Sequence, residues 1–160
     1  MGLPVGSTIP NFKLKDQKGE WFDTADHIGK KPLVIFFYPK DFTPGCTAEV
    51  CSFRDHFEDF SDAGALVVGI SSDSEKSHRN FSKKHALPFV LLSDTDKTVQ
   101  RKFKVAKRFM SLLPGRETFV IDKTGRVVLV FQALQASGHV RNALKAIKGI
   151  QEDGTIPPQV

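Results

Sequence analysis

Four apolar runs rich in β-branched and aromatic residues constrain the fold of this 160-residue chain more than any other feature. The first, LVIFFY at 33–38, is apolar at every position and ends at Pro39, which cannot donate to a sheet ladder. A strand that is apolar on both faces is typical of a buried, central and parallel position. Three further runs of this kind lie at 65–72, 89–94 and 117–122. The chain is therefore predicted to bury a sheet on both of its faces.

Helical periodicity occupies the segments between these runs. From Cys46 to Phe60 the apolar residues recur every three or four positions, which predicts one helix that ends before Gly64. Further helices are predicted at 74–85, with Ser74 as a cap, at 95–103 and at 138–147.

Two hairpins complete the set of elements. Residues 11–22 predict two short strands about a turn at 17–19, and 126–132 is predicted to pair back on the fourth run. The resulting order, β-β, β-α, β-α, β-α, β-β, α, predicts a three-layer α/β sandwich. This order is compatible with a thioredoxin-like core that carries an N-terminal β-hairpin extension. We expect a single domain over 1–160, with the polar, proline-containing residues 150–160 as a flexible tail.

Charge and composition exclude several classes of protein. The net charge is +5, but basic and acidic residues alternate and no run reaches five like charges, so nucleic-acid binding is not predicted. No apolar run approaches the ~18 residues of a membrane span, and the N-terminus lacks the basic and apolar regions of a secretory signal. With two cysteines the chain is not a disulfide scaffold, and we expect a cytoplasmic protein with reduced thiols. The five histidines lie in polar segments and are predicted to be surface residues; no metal-ligand cluster or cofactor motif is visible, so neither group is predicted.

Both cysteines lie within the ten residues FTPGCTAEVC, and their place in the predicted fold suggests chemistry. Cys46 begins a helix just beyond the carboxyl end of strand 33–38, where open α/β sheets place their sites. The unpaired amides and positive dipole end of a helix N-terminus favour an anion such as a thiolate. Thr43 is close enough either to cap the helix or to donate its hydroxyl to the sulfur. The alternative is that Cys46 is an inert core residue, since it lies on the apolar stripe.

A disulfide between Cys46 and Cys51 does not fit an intact helix. Five residues of ideal helix separate their Cα atoms by roughly 8–9 Å and direct the side chains to nearly opposite faces. A disulfide requires Cα atoms within ~7 Å. The first turns would therefore have to unwind before the thiols could pair.

The segment YPKDFTPGCTAEVCSFRD resembles the peroxiredoxins through the pattern Pro39-x3-Thr43-x2-Cys46. A second cysteine five positions later is similar to the subgroup called peroxiredoxin Q or bacterioferritin comigratory protein. The resemblance extends from about Ile9 to Ile147, including LPGRETF, which looks like the arginine segment of the family. It implies a thioredoxin-like fold, reduction of hydrogen peroxide and organic hydroperoxides, thioredoxin as reductant and a monomeric protein. It also implies that Cys46 is the peroxidatic cysteine and Cys51 the resolving one, and it matches Thr43 and Arg116 to family positions.

The remaining predicted site residues have physical roles beside this chemistry. The fork of Arg116 can hold peroxide oxygens and stabilise the thiolate, although an arginine here is otherwise expected in a surface salt bridge, for example with Glu117. Backbone amides of Gly45 and Cys46 can donate to the peroxide, and Pro44, which has no amide, can shape the site, with Pro39 at its edge. We expect Glu49, in the first turn of the helix, either to orient Arg116 or to complement the helix dipole.

Two other classes of function remain open from the residues alone. A disulfide reductase or isomerase could use the same fold, but the absence of C-x-x-C counts against it. A non-catalytic basic module would instead show salt-dependent binding and no thiol chemistry.

Overall fold

The computed structural model describes residues 2–105, 117–132 and 138–153. Its strands are β1 (Lys13–Lys15), β2 (Trp21–Asp23), β3 (Leu33–Phe37), β4 (Leu66–Ser71), β5 (Val90–Ser93), β6 (Glu117–Ile121) and β7 (Val127–Gln132). Its helices are α1 (Pro44–Asp55), α2 (Phe57–Asp62), α3 (Glu75–His85), α4 (Thr98–Lys102) and α5 (His139–Asp153). Both hairpins and all four apolar runs are found as strands, in the predicted order.

The strand β3 is the centre of a five-stranded sheet with the order β5-β4-β3-β6-β7. All five of its residues are buried. It pairs parallel with β4, with Leu33 opposite Leu66, and antiparallel with β6, with Leu33 opposite Ile121. The prediction of a parallel central strand therefore holds on one side only, because the chain returns through the β6–β7 hairpin on the other.

Alternate side chains of β3 point into two apolar layers. Val34, Phe36 and Tyr38 pack with residues of α1, α2, α3 and α5. On the opposite face, the layer of Leu33, Ile35 and Phe37 packs against α4 and the N-terminal segment that contains β1 and β2. The three-layer α/β sandwich with an N-terminal hairpin is thus confirmed, since a strand with two apolar faces needs cover on both.

The first predicted helix is two helices. The residue between them, His56, has φ −106° and ψ 11°, and its Nδ1 donates to the carbonyl of Ser52 at 2.9 Å. The helix α1 also begins two residues before Cys46, at Pro44, because a proline at the first helical position needs no amide partner. The apolar period continues across the break, which is why the sequence pattern did not reveal it.

The ends of two further helices differ from the prediction. The carboxylate of Asp94 accepts from the amides of Val99 and Gln100 at 3.1 and 2.8 Å, which places the start of α4 at Thr98 rather than at residue 95. Helix α5 continues to Asp153, so residues 150–153 of the predicted tail are helical, and 154–160 lie outside the described residues. Within the described part of the chain, no helix has the length and apolar character needed to span a bilayer.

The tightest packing around β3 gives a stability prediction. A methyl group added at Gly69 in β4 would lie 2.7 Å from Cζ of Phe36 and 2.9 Å from Cδ2 of Leu91. We expect Gly69→Ala to lower the free energy of unfolding by about 1–3 kcal/mol, the usual cost of overpacking a core. Urea denaturation measures it. The substitution should cost less in a Phe36→Leu background, where the ring is gone; equal costs in the two backgrounds would contradict this explanation.

Candidate active site

Cys46 lies just after the loop that connects the central strand β3 to α1. The amide of Tyr38 donates to Ile70 at 3.1 Å, which extends the β3–β4 ladder by one residue, and the loop then leads into the helix. Cys46 is the third residue of α1, is 1% exposed and packs within the apolar layer that contains Val50 and Phe53. The thiol therefore combines the two positions considered from the sequence, a helix N-terminus and a buried apolar surrounding.

The start of α1 presents free amides beside this sulfur. The first hydrogen bond of the helical ladder runs from the amide of Thr47 to the carbonyl of Thr43, at 2.8 Å. The amides of Gly45 and Cys46 precede that ladder, and Pro44 has none. Pro44 and Gly45 are exposed above the buried Cys46, whereas Pro39 is buried at the end of β3. A small anion that approaches Cys46 from solvent would meet these two amides.

The hydroxyl of Thr43 makes a different contact from the two that we predicted. It donates to the carbonyl of Lys40 at 2.9 Å, and no side chain caps the helix. The backbone of Thr43 has the extended conformation of an N-cap residue, with φ −84° and ψ 148°. Thr43 therefore closes the loop onto itself through Lys40, and its oxygen retains a lone pair for a further donor.

A buried polar network, which the sequence did not predict, holds this loop. The carboxylate of Asp41 accepts from the hydroxyl of Tyr38 at 2.6 Å and of Ser77 at 2.9 Å, and lies 2.7 Å from Nδ1 of His78. The amide of Asp41 donates to Asp73 at 2.8 Å. Because Ser77 and His78 belong to α3, the loop before Cys46 is fixed to that helix.

Two fully buried histidines, His78 and His139, correct the prediction that the histidines are surface residues. Nε2 of His78 lies 3.0 Å from the carbonyl oxygen of Leu92. Asp41, Asp73 and His78 also bring ligand-type atoms within 4.8 Å of one another. Both carboxylate oxygens of Asp41 and Oδ2 of Asp73 already accept hydrogen bonds from the protein, so the cluster is a network that fixes the loop. The sequence signal was the spacing of His78 and the buried Phe81, which places them on one face of α3.

Glu49 is buried at the back of α1. Because α1 begins at Pro44, this residue lies in the second turn, and the prediction that it complements the helix dipole in the first turn is wrong. Its side chain is 0% exposed and lies 3.5 Å from Nδ1 of His139, also fully buried, which in turn is 2.8 Å from the hydroxyl of Thr118. Arg116 lies outside the described residues, and Glu117, considered above as its salt-bridge partner, is buried.

Cys51 lies further along α1 in a separate, half-buried environment. Its Sγ is 3.6 Å from Nδ1 of His85, the last residue of α3. Both cysteines are unbonded and belong to the same continuous helix, as expected from their spacing. His85, 34 residues away in sequence, had no signal that could have assigned it to this site.

Comparisons with known proteins identify relatives of the whole fold. Residues 5–130 match the AhpC/TSA family. The chain is 48% identical over 147 residues to peroxiredoxin Q, chloroplastic, of Sedum lineare, which covers 91% of this chain and 78% of the relative. It is 40% identical over 157 residues to peroxiredoxin Bcp of Bacillus subtilis, 95% of this chain and 99% of that protein.

Solved structures give the same result. Peroxidoxin BcpB of Mycobacterium tuberculosis superimposes with a TM-score of 0.85 at 34% identity, over 92% of this chain and 98% of that one. The bacterioferritin comigratory protein of Xanthomonas campestris, studied for alkyl peroxide reduction, gives a TM-score of 0.82 at 36% identity, over 88% and 92% of the two chains.

The single tyrosine of the chain makes the buried network measurable. Burial raises the pKa of Tyr38 well above its ordinary value of 10.0, and the charge and hydrogen bond of Asp41 raise it further. The pKa of Tyr38 is higher in the folded state than in the unfolded state. Its protonated hydroxyl therefore contributes fully to the free energy of unfolding below pH 10, and this contribution is lost as the pH rises above 10. We expect phenolate absorbance in the native protein to appear at a higher pH than in urea. Coincident titration curves would contradict the burial of this hydroxyl, and Tyr38→Phe supplies the blank.

Proposed function

The chain belongs to the AhpC/TSA family and is a peroxiredoxin, a thiol-dependent peroxidase, and we propose that Cys46 is its peroxidatic cysteine. The observation that carries this assignment is the place of the thiol, in the first turn of α1 with the amides of Gly45 and Cys46 ahead of the helical ladder. These amides and the helix dipole stabilise a thiolate, the nucleophilic form of cysteine.

The first step transfers one oxygen atom from the peroxide to sulfur. The Cys46 thiolate attacks the terminal oxygen, the O–O bond breaks, and the bonding pair leaves on an alkoxide or hydroxide that takes up a proton. The sulfur is thereby oxidised to a sulfenic acid. The amides of Gly45 and Cys46 stabilise the negative oxygens, and the lone pair of Thr43 is open to the peroxide proton. We propose that the guanidinium of Arg116 also holds the peroxide. Pro39 and Pro44 shape the entrance, and Glu49 orients Arg116.

The second step forms a disulfide between Cys46 and Cys51. In an intact helix their Cα atoms are roughly 8–9 Å apart, beyond the ~7 Å that a disulfide allows. The second half of α1 is anchored, because Phe53 is buried in the core and the guanidinium of Arg54 donates to the carbonyl of His85 at 2.9 Å. We therefore assign the unwinding to the first half of α1, which carries the sulfenic acid of Cys46 to Cys51.

A dithiol then reduces the disulfide and completes the cycle. We propose thioredoxin or a similar dithiol as the reductant, and hydrogen peroxide and organic hydroperoxides as substrates. Reduction of alkyl peroxides by the similar Xanthomonas campestris protein supports the second class of substrate. We also propose that the enzyme is a monomer. We expect it to act in the cytoplasm, a compartment in which thiols are kept reduced.

Substituting each cysteine separates the two steps. We expect Cys46→Ser to abolish peroxide consumption. Cys51→Ser should retain one stoichiometric turnover and lose recycling, because the sulfenic acid still forms but has no neighbouring thiol. The measurement is peroxide consumed per protein without reductant, followed by NADPH oxidation through a thioredoxin system. Equal loss of the first turnover in both variants would exclude this division of roles.

Hydrogen exchange tests the conformational change. Oxidation by one equivalent of peroxide should reduce amide protection in 47–50, while the amides of α2 remain protected, because only the first half of α1 has to unwind. The oxidised Cys51→Ser variant is the matched control, since it carries a sulfenic acid but no disulfide. Unchanged protection in the oxidised wild type would mean that the two thiols do not pair within one chain.

A further inference from the structure

The contact between Cys51 and His85 is a feature that the two steps above do not use. The Sγ of Cys51 lies 3.6 Å from Nδ1 of His85, within the range of a sulfur hydrogen bond. The sulfur of Cys51 can donate a proton, and an unprotonated Nδ1 of His85 can accept it. The pair is therefore a thiol in contact with a base. It lies on the side of α1 away from the buried thiol of Cys46.

Two contacts hold His85 at this place, one to its backbone and one to its ring. Arg54, three residues after Cys51, donates to the His85 carbonyl at 2.9 Å and joins α1 to the end of α3. The ring of Phe81 meets the His85 ring edge-on, with centroids 4.9 Å apart and planes at 71°. Since Phe81 is fully buried, the histidine is placed by a rigid part of the core rather than by a mobile surface.

We propose that His85 is a catalytic residue of the second step, the base that removes the proton of Cys51 as this thiol attacks Cys46. The proposal rests on the disulfide mechanism above. The S–H bond of Cys51 breaks and its proton passes to Nδ1, while the sulfur electron pair forms the S–S bond. The S–O bond of the sulfenic acid breaks, and the departing hydroxide takes up a proton to become water. His85 is half-buried, so solvent removes the proton from the ring afterwards.

The charges around the pair keep the histidine in its basic form. Burial lowers the pKa of His85, and the cations Lys84 and Arg54 lower it further, so the ring is neutral at pH 7 and can accept a proton. The pKa of Arg54 is raised, chiefly by its hydrogen bond with Asp55, so the guanidinium stays positive. Lys84 and Arg54 are the cations whose charges act on the His85 ring, and Asp55 pairs with Arg54. The two cations favour a developing thiolate on Cys51.

The size of the effect follows from the chemistry of an unassisted thiol. General bases typically contribute ~10²–10⁴-fold. A free cysteine of pKa ~8.5 is already about 3% thiolate at pH 7. A base can therefore raise the rate of disulfide formation by less than that range. We therefore expect His85→Gln to slow disulfide formation about tenfold at pH 7, since glutamine can hydrogen-bond to the sulfur but cannot take its proton.

The matched control is His56→Gln, which removes the exposed histidine that lies beyond Cys51 in sequence and contacts Ser52 instead. Oxidation by one equivalent of peroxide, quenched with acid at set times, gives sulfenic acid and disulfide by intact mass. Both variants should form the sulfenic acid at the wild-type rate, and only His85→Gln should convert it slowly.

The pH dependence separates a proton acceptor from a structural residue. In the wild type, disulfide formation should slow as the pH falls through a step below 6.5, when His85 becomes charged. In His85→Gln this step should disappear, because the ring that takes up the proton is gone. Imidazole added to His85→Ala should restore part of the rate, which a merely structural residue would not allow.

The outcomes distinguish this inference from the proposed function. If no disulfide forms in the wild type, the two-step mechanism fails. If the disulfide forms but His85→Gln leaves its rate and pH profile unchanged, or imidazole rescues nothing, only the role of His85 is overturned. Equal slowing in His56→Gln would also overturn it, since that residue does not touch Cys51.

Discussion

The carboxylate of Asp41 fixes the loop on which the rest of the site depends. It accepts from Tyr38 and Ser77 and lies 2.7 Å from Nδ1 of His78 inside the protein, where a charge survives only with such partners. Leaving a buried polar group without its hydrogen-bond partner typically costs about 1–3 kcal/mol, and more when the group is charged. The loop between β3 and α1 is therefore attached to α3 as well as to its own strand, and the position of Cys46 follows from that attachment.

The helix that presents Cys46 also keeps it away from Cys51. Both thiols lie on α1, which is continuous from Pro44 to Asp55, so the geometry that exposes free amides beside the first thiol prevents a bond to the second. An enzyme that uses both must have two conformations, one for attack on the peroxide and one for the disulfide. In the proposed cycle, the anchored second half of α1 confines the difference between them to the first half.

Helix α3 contacts the surroundings of both cysteines. Its early residues Ser77 and His78 hold the loop before Cys46, and its last residue, His85, lies against Cys51. Two histidines of α3 thus have different surroundings. His78 is buried with hydrogen-bonding partners on both nitrogens, while His85 is half-buried with Nδ1 in contact with a thiol. In the proposed cycle, one side of α3 preserves the geometry of the first step and its end assists the second.

Features that arise from local pattern could be predicted without the structure. Apolar runs set the strands, and the fixed rise of a helix set the separation of the two thiols. The break at His56, the burial of Glu49 and the two contacts made by α3 came only from the tertiary structure. Asp41 and His78 are 37 residues apart, and Cys51 and His85 are 34 apart. No periodicity records such pairs, and a polar residue reads as exposed until the fold supplies the partner that makes its burial stable.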